Sequence, residues 1–115
     1  MFCSFSANQC TITDLTTISN TRNNFTGVVN LNSGTTQITN ANTLTLGTLA
    51  SGSLTVVSTG ALNLGQGTVT GNLTATSNGG PITQAATVGK NLTVTGTSTI
   101  NAGANTITLT SAGNN

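Results

Sequence analysis

The sequence predicts an all-β fold, a parallel β-solenoid of about 19 residues per coil. Three observations predict it. Segments recur at a constant spacing of 19 residues: GSLTVVST from Gly52, GNLTATSN from Gly71 and KNLTVTGT from Lys90. Apolar and polar residues alternate within them, the period-two pattern of a strand with one buried face. The composition also suits short strands and tight corners, with 27 Thr, 16 Asn, 14 Gly and 10 Ser beside 24 Ile, Leu and Val in 115 residues. β-Branched side chains lose rotamer freedom in a helix, and Asn and Gly favour turns, so helix is disfavoured throughout. A disordered linker fits poorly, because such segments usually stay expanded through charge and this chain has almost none.

The strands read as short alternating runs: Leu44-Thr45-Leu46, Leu54-Thr55-Val56, Leu62-Asn63-Leu64, Leu73-Thr74-Ala75, Leu92-Thr93-Val94 and Ile107-Thr108-Leu109. Gly, Asn and Ser separate them at intervals too short for a helix and suit corners with left-handed backbone angles. Two or three such strands per 19 residues make the sides of one coil, and successive coils stack at about 4.8 Å. In that register Leu54, Leu73 and Leu92 form an inward aliphatic ladder, and Val69, Val88 and Ile107 form a second on another side. Thr55, Thr74 and Thr93 form an outward file, and Asn72 and Asn91 belong to an Asn ladder at a corner. From Leu31 to Leu109 there is room for four to five coils, a rod roughly 20–25 Å long. Residues 23–115 are the β-solenoid repeat domain. Residues 1–22 are off the repeat and serve either as an N-terminal cap or as a disordered leader.

Only Asp14, Arg22 and Lys90 are formally charged, and His, Glu, Tyr and Trp are absent. The stack explains this, since identical residues in file would set like charges side by side. General acid–base and metal chemistry lack their usual side chains, so the chain is expected to be no enzyme, with no catalytic, cofactor-binding or metal-binding residue and no cofactor. A polysaccharide-cleaving β-helix needs clustered acids, and Asp14 is the sole carboxylate side chain. A net charge of +1 without a basic cluster argues against nucleic acid. No run approaches the roughly 18 apolar residues of a membrane span, and the N-terminus lacks the basic and apolar regions of a signal peptide. Cys3 and Cys10 read as unpaired thiols in a frayed terminus, in preference to a short-loop disulfide. Arg22 and Lys90 read as solvated surface charges. The N-x-T sequons at Asn24, Asn72 and Asn91 follow from composition.

From Asn23 to Asn115 the chain resembles the repeat arrays of filamentous-haemagglutinin-like exoproteins, large bacterial surface adhesins secreted by two-partner or autotransporter routes. The NNFTG start, the GxLTV strands, the ALNLGQGTV segment and the closing INAGANTITLTSAGNN carry the resemblance. Asn114-Asn115 also matches Asn23-Asn24 at a distance of 91 residues, as though a tandem unit were restarting. The resemblance implies a right-handed β-helix forming part of a long stalk, at the cell surface or outside the cell. Its neighbours would be further solenoid repeats of a longer chain.

A structural stalk is therefore the leading functional expectation, its host receptor or glycan unspecified. Two alternatives belong to other classes. Outward Thr files could bind ice or a crystal surface, with Thr74/Thr76 and Thr93/Thr95 as paired columns and Val57 as a break. Exposed strand edges could also drive end-to-end self-association into a filament.

Overall fold

The computed structural model describes residues 2–6, 9–14, 16–84 and 89–115. Thirteen strands follow in chain order: β1 (Phe2–Ser6), β2 (Gln9–Thr13), β3 (Thr16–Ile18), β4 (Val28–Asn32), β5 (Thr36–Asn40), β6 (Leu44–Ser51), β7 (Leu54–Ser58), β8 (Leu62–Asn63), β9 (Gln66–Val69), β10 (Leu73–Ser77), β11 (Ile82–Thr83), β12 (Leu92–Val94) and β13 (Ser98–Asn101). They form two sheets. Sheet A has eight strands, stacked β1-β2-β4-β6-β8-β11, with β9 also on β6 and β12 on β9. Sheet B has five, stacked β3-β5-β7-β10-β13. Apart from the antiparallel β1–β2 hairpin, every named strand pair is parallel. The chain alternates between the sheets, so each circuit adds one layer to both: a parallel β-solenoid of about four turns.

The core is a set of aliphatic files running along the stack. On sheet B, Ile18, Ile38, Val56, Ala75 and Ile100 stand opposite one another in turn. On sheet A, Leu44, Leu62, Ile82 and Ile107 form one file, and Ile12, Leu31 and Leu49 form another. All but Ile100 and Ile107 are buried, and each buried Leu, Ile or Val side chain is worth about 1.5–3 kcal/mol against exposure. Outward residues between them are mostly Thr, Asn and Gln, as the alternation requires, with Val57 an exception on sheet B.

The corners are made by small residues. Gly34, Gly52, Gly71 and Gly96 follow one another up the stack, each amide of the later three donating to the carbonyl of the glycine below. A Cβ on Gly71 or Gly96 would collide with backbone of the coil beneath. At the corner ending sheet B, Asn40, Ser58 and Ser77 form a buried polar file. Ser58 Oγ donates to Gly60 O at 2.8 Å, and Ser77 Oγ donates to Gly60 O at 2.9 Å. Asn40 Oδ1 accepts from Phe25 N, while its Nδ2 donates to Thr43 O. Turn carbonyls turned inward are thereby satisfied, which the coil requires because a buried unpaired carbonyl is costly.

The coil register departs from the strict spacing of 19. Leu54 stands opposite Leu73, 19 positions on, but Leu73 stands opposite Ser98, 25 positions on. Leu92 instead faces Gly67, Thr93 faces Thr68 and Val94 faces Val69. The expected Leu54–Leu73–Leu92 ladder and Thr55–Thr74–Thr93 file therefore break after their second members. Ile107 bridges to Ile82, not to the Val69 file, and Val88 lies outside the described residues. Asn72 and Asn91 do not stack: Asn72 Oδ1 accepts from Thr97 N, whereas Asn91 O accepts from Gly67 N on sheet A. The reason is segment length. Residues 64–65 connect β8 to β9, while residues 84–91 connect β11 to β12. The extra residues move LTV from sheet B to sheet A, where an alternating strand serves equally well.

Two further expectations change at the N-terminus. β2 and β3 lie in parallel register on β4 and β5, so the stack reaches into the segment the repeat left out. Cys10 is 3% exposed and disulfide-bonded, not a free thiol. The β1–β2 hairpin sets Cys3 opposite Ile12 and Cys10 opposite Phe5, on adjacent antiparallel strands. Asn23 and Asn114 also occupy different sides of the coil. Asn23 O accepts from Ala41 N after sheet B, whereas Asn114 Oδ1 accepts from Leu92 N on sheet A. The molecule measures 32 × 27 × 27 Å, a block about as wide as it is long rather than the expected rod.

Candidate functional surfaces

The three charged residues sit on different segments: Asp14 in the turn after β2, Arg22 in the loop after β3, and Lys90 before β12. All three are exposed. Asp14 has a left-handed backbone angle, φ 78°, at the corner between the two sheets. Among the described residues no group of three or more His, Cys, Asp and Glu side chains could hold a metal ion. No helix of the described residues is long and apolar enough to cross a membrane. Most of the exposed polar groups are amides and hydroxyls.

Sheet B presents a polar outer face. Thr17, Gln37, Thr55, Thr74 and Thr99 run up one column, and Thr39, Val57, Thr76 and Asn101 up the next. Thr93 and Thr95 are not on this face, so Thr74/Thr76 is its one complete pair of adjacent threonines. The break expected at Val57 is present, and Gln37 and Asn101 interrupt the columns further.

Sheet A is irregular along a line through Gly47 and Gly65. The β4–β6 register shifts between Val29 and Leu31, and the next coil divides at the same place into β8 and β9. Gly65 is buried with φ 65°, and a Cβ there would fall on the carbonyl oxygens of Gly47 and Leu46 below. A Cβ on Gly47 would strike the Asn30 side chain. A groove of about 270 Å³ results, flanked by Asn30, Thr45, Thr48, Asn63 and Gln66. Thr48 and Gln66 also border a second hollow of about 260 Å³, lined further by Thr68, Lys90, Asn91 and Thr93.

The groove amides are ordered by local hydrogen bonds. Asn30 Nδ2 donates to Gln9 Oε1 at 3.0 Å, and Asn30 Oδ1 accepts from Thr48 N at 2.8 Å. Asn63 Oδ1 accepts from Gly65 N at 2.9 Å, fixing the turn that makes the floor. None of these residues was singled out by the 19-residue repeat. The signal that marks them is a different one: Leu46-Gly47-Thr48 recurs as Leu64-Gly65-Gln66, 18 positions on.

No curated protein and no solved structure matches the chain. One family model does, over residues 51–115, from the end of β6 through β13 to the C-terminal residues. That span covers more than half of the sequence and includes the three 19-spaced segments. The chain thus belongs to the family described as repeats of unknown function (DUF5649).

Proposed function

We propose that this chain is a non-catalytic stalk segment of a bacterial cell-surface adhesin or secreted exoprotein. The observation that carries the reading is the stack itself: aliphatic files and corner glycines repeat from coil to coil, so a longer array of the same coils extends in one direction only. The block measured here becomes a rod only with further coils, which makes neighbouring solenoid repeats its natural partners. The adhesin and its surface location rest on the resemblance of Asn23–Asn115 to filamentous-haemagglutinin-like arrays.

Two measurements test this. Antibody raised against the chain should label intact source cells or their secreted fraction; label appearing only after permeabilisation overturns the location. Small-angle scattering of arrays with added coils should show the long dimension growing by about 4.8 Å per coil at constant cross-section. Growth in all dimensions overturns the stalk.

End-to-end self-association is a second reading, favoured by one observation: β3 and β13 are the outer strands of sheet B. On sheet A, by contrast, the outer edge of β2 is occupied by antiparallel β1. Pairing through sheet B alone should give dimers or short oligomers in sedimentation, not long filaments. The threonine-file reading draws less support, given the broken columns of sheet B; thermal hysteresis in the purified chain would restore it.

A further inference from the structure

We propose that the groove on the outer face of sheet A binds a neutral oligosaccharide. Its floor is backbone at Gly47 and Gly65, and glycine inside a strand region is where a ligand can approach the main chain closely. Its walls are amides and hydroxyls that are only partly committed. Asn63 spends its Oδ1 on Gly65 N and keeps its Nδ2 donors. The Gln66 amide and the Thr48 and Thr45 hydroxyls enter no side-chain hydrogen bond among the described residues. Gln66 and Thr48 border both halves of the groove.

This chemistry selects the ligand class. Amides offer a donor and an acceptor side by side, and hydroxyls offer both in one group, which suits neighbouring sugar hydroxyls. A charged ligand would lose hydration without a counter-charge in the first hollow, which no charged side chain lines, Lys90 bordering only the second. The Gln9–Asn30–Thr48 chain of hydrogen bonds pre-orders one wall, which lowers the cost of binding. The groove also runs along the stack, so its polar groups repeat at about 4.8 Å. That repeat suits an extended polymer of pyranose units better than a compact solute. The inference does not depend on the stalk reading, because the groove is complete within one chain.

The test is a titration of the isotope-labelled chain, followed by amide chemical shifts, with cellotetraose, maltotetraose and N-acetylchitotetraose, and with tetragalacturonate as the charged arm. At least one neutral tetrasaccharide should give saturable shifts centred on Thr48, Asn63 and Gln66, with Kd of about 1 mM. Gln66→Ala should weaken binding by about three- to tenfold, as loss of one hydrogen-bonding side chain does. Thr48→Val should do the same; it keeps the side-chain shape and the Asn30 bond, which uses the Thr48 backbone amide. Thr74→Val, on sheet B, should leave binding unchanged. Unaltered melting of each variant separates lost binding from lost fold. No saturable shift from any neutral probe at about 20 mM overturns the proposal. So do shifts that map to sheet B, or tighter binding of the uronate that is lost in Lys90→Ala.

Discussion

Gly65 and Gly103 offer a controlled comparison of what the close stacking of coils demands. Both have left-handed backbone angles, φ 65° and φ 59°, so alanine meets the same conformational resistance at either. That resistance is worth about 1 kcal/mol for a non-glycine residue. The surroundings differ. Nothing lies within 4 Å of a Cβ built on Gly103, whereas one on Gly65 lands on two backbone carbonyls of the coil beneath. Backbone cannot rotate aside as a side chain can, so the coils must separate locally. Separation stretches the pairing of β8 and β9 with β6 and loosens Leu62 and Leu64, both fully buried. Two weakened hydrogen bonds at about 1 kcal/mol each and a packing loss of about 1 kcal/mol raise the Gly65→Ala cost to about 4 kcal/mol. At about 4 °C per kcal/mol for a chain of this size, Gly103→Ala should lower the melting temperature by about 4 °C and Gly65→Ala by about 15 °C. Circular dichroism melts measure both. Equal shifts would refute the reasoning, because they would mean that φ alone, and not contact between coils, restricts Gly65.

Other substitutions probe the register and the corners. Leu73→Ala should cost about 4 kcal/mol, since Leu73 is stacked between Leu54 and Ser98, while Leu92→Ala, opposite Gly67, should cost about 2 kcal/mol in urea unfolding. A strict 19-residue register would make the two equal. Ser77→Ala removes the one hydroxyl proton shared by Gly60 O and Gly80 O and the acceptor of Gly80 N, and should cost about 2 kcal/mol with faster amide exchange at Gly80. Exposed Ser98→Ala is the control and should stay within about 0.5 kcal/mol. Reduction of the Cys10 disulfide should lower stability by about 2–3 kcal/mol, and hydrogen exchange should rise first in β2, where Cys10 packs opposite Val29.

Local pattern and global register carry different information, and this chain separates them. Alternating Leu-Thr-Val segments, absent charge and spaced glycines determined by themselves that the chain forms short strands with one buried face, stacked in file. Those are properties of a strand and of a corner, and each is readable within a few residues. Which side of the coil a strand joins is another matter. Leu54-Thr55-Val56 lies on sheet B and Leu92-Thr93-Val94 on sheet A, although they read almost alike. The choice depends on the length of the segment between them, and a period-two pattern fits either sheet equally well. The Cys10 disulfide was illegible for a related reason: it depends on antiparallel pairing that no repeat encodes. The groove shared that obscurity. Gly47 and Gly65 look like any turn glycines until stacking sets one above the other, and only that stacking brings the amides of successive coils to the border of one groove.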